Sequence, residues 1–239
     1  MKSTLEKLVQ YDTPTICNVI ELFDIRPYNQ GYMDQRIRAG FPDFPPTAGF
    51  AVTSSYRSCE PGFGGSGYLA LSEQLQQFPS LPGPAFMVFQ DLDDPPVSAT
   101  FGEIMCSTYQ NFGAVGLITS GAGRDLEQVR ALGFPVFTSC TNCSHAFNQI
   151  LDIGSPVRVG GLVVRQGDLL HGDANGVTNI PLDIADEVAD VSKEFLDAEN
   201  IILSYVKGDG EKTVGGLVER QNEFRSVIQK VRERVSRKS

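Results

Sequence analysis

The sequence predicts an α/β protein with a mixed, partly parallel sheet, a β-rich central unit and C-terminal helices. Between residues 85 and 139 short apolar strands alternate with helical stretches, the pattern of crossover units on a shared sheet. From 157 to 181, closely spaced β segments are joined by Gly and Asn turns. Beyond 182, two long helical patterns close the chain. The 239 residues, 41% hydrophobic and 21% charged, are enough for a substantial core. No linker, repeat or low-complexity run divides them, so residues 1–239 are expected to form one domain, with 182–239 as helices for subunit packing.

Taken in order, Thr13–Leu22 (TPTICNVIEL) predicts a helix with Thr13 as its cap and Pro14 at the first helical position. Residues 26–48, rich in Pro, Gly and aromatics, predict irregular chain leading to a strand at Gly49–Ser54. Arg57–Gly67 (RSCEPGFGGSG) predicts a loop; no P-loop Lys-Ser/Thr follows it and the GxGxxG order is missing, so it is not a nucleotide cradle. A helix is expected near Tyr68–Gln77. AFMVFQD (85–91) and VSATF (97–101) predict strands, Glu103–Phe112 a helix, AVGLITS (114–120) a strand, Asp125–Leu132 a short helix and FPVFTS (134–139) a strand. VRVGGLVV (157–164), DLLHGD (168–173) and GVTNIP (176–181) form the β-rich unit, and helices are expected over Leu182–Val206 and Glu211–Ser236.

Composition removes several functions. The net charge of −9 argues against nucleic acid as a main partner, since phosphate binding needs a cationic surface. No apolar run approaches the ~20 residues that span a bilayer, so no membrane association is expected. The start, MKSTLEKLVQYDTPT, lacks an apolar stretch after its lysine, and no signal peptide is expected. Five cysteines (17, 59, 106, 140, 143) without an export signal point to free thiols and a cytoplasmic, reducing compartment. With two histidines in the chain, a metal site should be mostly oxygen-liganded. Glu219–Ser239 carries seven Lys or Arg and three Asp or Glu, a local +4 against −13 for the remainder. There Phe224, Val227, Ile228, Val231 and Val235 share one helical face, expected to pack on the body or on a neighbouring subunit rather than on a membrane.

In open α/β sheets ligands collect beyond the C-terminal ends of strands, where helix N-termini point into a crevice. Two such junctions stand out: Thr100-Phe101-Gly102-Glu103-Ile104-Met105, and Ser120-Gly121-Ala122-Gly123-Arg124-Asp125 with its flexible Gly-Ala-Gly turn. Adjacent crossovers would set them side by side. Arg124 can grip a carboxylate with two bonds, and Glu103 and Asp125 remain as hard oxygen ligands of the kind that hold Mg²⁺ with waters. The plainer possibility is that Asp125 caps its own helix and Glu103 complements a helix dipole. Cys140-Thr141-Asn142-Cys143, with His145 two residues on, is a CxxC between a strand and an expected helix. It is weighed as a redox or zinc motif against a loop near a subunit interface. His171, on a β segment, is expected to be structural.

Gly102-Glu103, a gap of twenty residues, Arg124-Asp125 and then LGFPVF (132–137) resemble the class II pyruvate aldolases of the 4-hydroxy-4-methyl-2-oxoglutarate aldolase type, which share a fold with the regulator of ribonuclease activity A. QGDLLHGDANGVTNIP (166–181) is similar to the family's Pro-Gly-Asp, Ala-Asp, Gly-Val-Val segment, and TPTICNVIELF (13–23) is similar to its N-terminal helix. The similarity spans most of residues 13–206. It implies that a pyruvate moiety is bound by Gly102, Glu103, Ile104 and Met105 together with Arg124. It also implies that Asp125 holds Mg²⁺ or Mn²⁺, with Glu103 supporting through water and Glu199 assisting from a neighbouring subunit. The implied catalytic set is Arg124, Asp125 and Glu103. The implied reaction releases pyruvate from a 4-hydroxy-2-oxo acid through a metal-stabilised enolate, and oxaloacetate decarboxylation gives the same enolate, with no lysine Schiff base required. A homotrimer or homohexamer is implied; the alternative is a non-catalytic regulator that binds a ribonuclease or another protein. No ribose acid follows a glycine-rich turn, so a methyltransferase is not supported. Glu103 stands where family members usually carry Asp, Asn18 where Asp is common, and TSCTNC (138–143) replaces a small Arg-Gly-bearing segment, which leaves the substrate range open.

Overall fold

The computed structural model describes residues 1–62 and 70–238. The end of the Arg57–Gly67 loop and the start of the helix expected at Tyr68 therefore lie outside the described residues.

The principal sheet is built around strand β2 (Thr47–Arg57), after the short β1 (Arg38–Ala39). Strands β3 (Ala85–Asp91), β5 (Ala114–Thr119) and β7 (Val136–Thr138) follow it in parallel, and β1 closes that edge antiparallel to β7. On its other side β2 pairs antiparallel with β12 (Leu169–Asp173), which forms a hairpin with β13 (Gly176–Ile180). The far end of β2 pairs with β9 (Gln149–Ile153). The sheet is thus mixed and partly parallel, as expected. Its central strands read as unbroken apolar runs because both faces are covered: Phe86 and Val88 of β3 join one buried cluster, Met87 and Phe89 another. The hairpin of β10 (Val157–Val159) and β11 (Leu162–Val164) covers the first face, packing Val157, Val159 and Val164 there.

Helices α4 (Glu103–Asn111) and α5 (Leu126–Ala131) cover the second face. Met105, Cys106 and Tyr109 of α4 point inward at helical spacing, and Tyr109 Oη donates to Gln74 Oε1 at 2.5 Å in the short helix α3 (Leu71–Leu75). Gln74 in turn donates to Ser54 Oγ at 2.7 Å. This buried polar chain anchors α4 to the sheet.

Helices α1 (Lys2–Leu8) and α2 (Thr13–Leu22) pack with α6 (Ala185–Lys207) and α7 (Val214–Val235) around Phe50 and Leu169. The cap of α2 is Asp12, not Thr13: its carboxylate accepts from Thr15 N at 2.8 Å, which makes Thr13 the first helical residue. Along α7, Val231 and Val235 are buried and Phe224 meets Phe195 edge-on, so the predicted apolar face packs against the chain's own α6. Arg234 pairs with Glu194 and Arg237 with Glu187, so basic tail and acidic α6 meet as charge complements. No helix among the described residues is long and apolar enough to cross a membrane. His171 is fully buried, between Thr13 Oγ1 at 3.0 Å and Leu8 O at 3.2 Å; burial pushes its imidazole down to about 4, so it stands neutral, as a structural residue.

Candidate active site

The two predicted junctions lie side by side. A small parallel sheet of β4 (Ala99–Phe101), β6 (Ala122–Gly123) and β8 (Cys140–Thr141) joins them, with Phe101 opposite Gly123 and Gly123 opposite Thr141. Arg124 N donates to Phe101 O at 3.2 Å. Strand β6 replaces the expected flexible Gly-Ala-Gly turn. Neither Gly121 nor Gly123 has a positive φ; Gly123 is required by space, since a Cβ there would lie 2.2 Å from the Phe101 ring. Glycine here permits close strand approach rather than motion.

Asp125 holds the N-cap position of α5 in a left-handed conformation, φ 55°, that Asp tolerates better than most residues. Its carboxylate does not cap α5. Instead Oδ2 accepts from Glu103 N at 3.1 Å, across the gap to the neighbouring helix α4, and stands 3.7 Å from Arg124 Nε. The expectation that Asp125 caps its own helix is therefore corrected: it caps the adjacent one. The α4 N-cap, Gly102, has no side chain to offer, and a Cβ at that point would sit 2.5 Å from Asp125 Oδ2. A missing side chain at 102 admits a carboxylate from 125.

These residues line a cleft of about 110 Å³ with Gly102, Glu103, Ile104, Met105, Arg124 and Asp125 on its walls. One water needs about 10–15 Å³ by the same measure, so the cleft is the size of a few waters or a small molecule. The side chains of Arg124 and Asp125 are 26% and 37% exposed, open to a ligand yet partly desolvated. The first-turn N–H groups of Ile104 and Met105 have no intrahelical acceptor and lie at the positive end of the α4 dipole. Glu103 is exposed at the rim, and Ile104 is 67% exposed. Glu199 does not line the cleft; it is half-buried on α6, its carboxyl pushed up by burial and by the charge of Asp12.

Two further lining residues, His145 and Asn148, come from the segment after β8. His145 was visible in sequence only as an appendage of the CxxC, and Asn148 carries no sequence signal at all. The expected helix after the CxxC is absent: a turn follows, and Cys140 and Cys143 are both exposed. No three His, Cys, Asp or Glu side chains among the described residues converge as a metal cage, which leaves the zinc reading without support. Beneath the Gly121 backbone lies Asp91, at the end of β3. Oδ1 accepts from Asp93 N at 3.0 Å, Oδ2 has no partner among the described residues, and burial lifts the carboxyl to about 6.

A partly parallel sheet carries an arginine and a carboxylate that converge at an adjacent helix N-terminus, and this arrangement defines an α/β protein with a candidate site between two loops. Residues 13–178 match the RraA-like family model, described as Aldolase/RraA, and the chain belongs to that family. The family takes in aldolases of the 4-hydroxy-4-methyl-2-oxoglutarate type and ribonuclease regulators. A protein of Halalkalibacterium halodurans, provisionally named a 4-hydroxy-4-methyl-2-oxoglutarate aldolase, is 37% identical over 86 residues, 35% of this chain and 40% of that protein. The chain thus matches less than two-thirds of that relative's length. A solved structure from Pseudomonas syringae pv. tomato superposes with TM-score 0.72 at 19% identity, over 93% of this chain and 94% of that one. Streptomyces coelicolor RraAS2, described as an unusual member of the RNase ES inhibitor RraA family, superposes with TM-score 0.65 at 22% identity, over 83% and 94%. These likenesses establish the fold.

Proposed function

We propose that this protein is a divalent-metal-dependent lyase that releases pyruvate from a 4-hydroxy-2-oxo acid of the 4-hydroxy-4-methyl-2-oxoglutarate type and also decarboxylates oxaloacetate. The observation that carries the reading is the Asp125 carboxylate, held at the N-terminus of α4 beside Arg124 in a cleft sized for a short acid.

Arg124 would receive the substrate's carboxylate, its fork matching the two oxygens, while the first-turn N–H groups of α4 add positive potential. Cleavage beside the keto group leaves negative charge on the keto oxygen, and preorganised donors at a helix N-terminus suit that charge. The donor set fits Mg²⁺ or Mn²⁺ in the manner of a site with one protein carboxylate and several waters: Asp125 is a hard oxygen ligand, partly exposed and already oriented, and Glu103 at the rim can act through water. Such an ion, when bound, supplies Lewis-acid polarisation of the keto oxygen. Glu199 from a neighbouring subunit, in a trimer or hexamer, belongs to this proposal as an assisting acid.

The test is pyruvate formation from 4-hydroxy-4-methyl-2-oxoglutarate and from oxaloacetate, with metal and with chelator. Arg124→Ala is expected chiefly to raise KM, and Asp125→Ala to abolish activity together with the metal requirement. Full activity in Asp125→Ala overturns the site; no pyruvate from either substrate turns the reading toward a protein-binding regulator.

A further inference from the structure

The cleft has a second wall, and its residues are unlike the first. His145 and Asn148 face the cleft from a tight turn in which Asn148 N donates to His145 O at 2.9 Å. The turn is pinned on both sides: Ala99 N donates to Ser144 O at 2.8 Å, Ala146 N to Ser144 Oγ at 3.0 Å, and Phe147 N to Ser58 O at 3.3 Å. Ala146 sits at φ 42°, a left-handed conformation costly for a non-glycine residue. That conformation aims the Ala146 carbonyl at His145 Nδ1, 2.8 Å away. A carbonyl can only accept, so in the neutral imidazole Nδ1 carries the proton and Nε2 keeps the lone pair. Asn148 Oδ1 is buried with no partner among the described residues, an acceptor in want of a donor.

Resting on the lyase reading, we propose that His145 Nε2 is the base that takes the proton from the C4 hydroxyl of a 4-hydroxy-2-oxo acid, with Asn148 beside it on the same wall of the cleft. The other charged side chains lining the cleft are otherwise engaged or unsuited. Arg124 stays cationic and Asp125 is spent on the α4 N-terminus and the metal. Glu103 belongs to the pyruvate side, on the helix whose N–H groups receive the keto acid. Imidazole is the side chain most used for proton transfer near neutral pH. The step balances. The O–H proton passes to Nε2, the C3–C4 bond breaks, and C4–O becomes a carbonyl in the departing product. The electron pair of the broken bond becomes the enolate of pyruvate, which takes a proton from water at C3; the imidazolium returns its proton to solvent. Decarboxylation of oxaloacetate reaches the same enolate by losing CO₂, with no hydroxyl proton to remove.

That difference provides the test. Pyruvate release is measured from both substrates, with saturating Mg²⁺, for wild type, His145→Gln, His145→Ala and Glu103→Gln. His145 is exposed, so neither replacement threatens the fold. His145→Gln is expected to lower kcat for the aldol about 100-fold or more and to lower decarboxylation less than tenfold; added imidazole restores part of the aldol activity of His145→Ala. Equal losses on both substrates, aldol activity within about threefold of wild type, or the same split in Glu103→Gln instead, overturn the assignment while leaving the lyase reading intact. Wild type releasing pyruvate from neither substrate overturns both.

Discussion

Gly102→Ala separates the site from the fold. Gly102 has φ −156° and ψ −170°, extended backbone that alanine adopts without strain. In that respect the substitution stabilises slightly, by about 0.4–1 kcal/mol, because the unfolded chain loses freedom. The new methyl group, however, lands 2.5 Å from Asp125 Oδ2 and 3.0 Å from Arg124 Nε, where ordinary contact begins at 3.4 Å. Asp125 is the more movable partner, and it must retreat by about 0.9 Å, which breaks its bond to Glu103 N. A charge-assisted hydrogen bond contributes about 1.5–3 kcal/mol when buried, but this carboxylate is 37% exposed and recovers most of that from water. The stability changes nearly cancel, leaving the midpoint of unfolding within about 1 kcal/mol of wild type. Activity should not survive: misplacing a catalytic group by about 1 Å costs on the order of 100-fold in rate. The assay pairs a urea melt with coupled detection of pyruvate. A folded Gly102→Ala protein with activity within about threefold of wild type would refute the claim that the position of the Asp125 carboxylate governs the chemistry.

Other expectations concern stability. Asp91 is lifted from 3.8 to about 6 by burial, so the fold holds its proton while the unfolded chain ionises; stability falls as pH rises through roughly 4 to 6, by about 3 kcal/mol at most. His171, lowered from 6.5 to about 4, does the reverse, since the unfolded chain takes the proton first and stability falls as pH drops through that window. The two slopes oppose in wild type. Asp91→Asn should therefore gain about 1–2 kcal/mol at pH 7, the new amide donor offsetting part of the benefit, and lose that advantage by pH 4; urea midpoints at pH 4–7 giving a parallel shift would contradict this. Asp12→Ala removes the α2 cap, Asp12 to Thr15 N, and should cost about 1 kcal/mol by the same melt, whereas Thr13→Ala disturbs the His171 contact instead.

Much of this arrangement is legible along the chain because its causes are local. Apolar runs such as AFMVFQD announce buried strands, and the predicted range 85–91 coincides with β3. The stripe Phe224, Val227, Ile228, Val231, Val235 announces the inward face of α7. The order strand, glycine, acid, helix marks residues 102–105, and Arg124-Asp125 marks the second loop. Other features depend on residues far apart in sequence meeting in space. That Asp125 caps α4 rather than α5 follows from a left-handed φ and an open position at Gly102, 23 residues away. That Gly123 serves close packing follows from the Phe101 ring beside it. His145 and Asn148 enter the cleft because β8 lies next to β6 and two hydrogen bonds, Ala99 N to Ser144 O and Phe147 N to Ser58 O, draw the turn inward. Hydrophobic periodicity is short-range and can be read residue by residue; the pairing of loops, and the cap it brings from Asp125 to α4, is set by sheet order, and no local pattern encodes it.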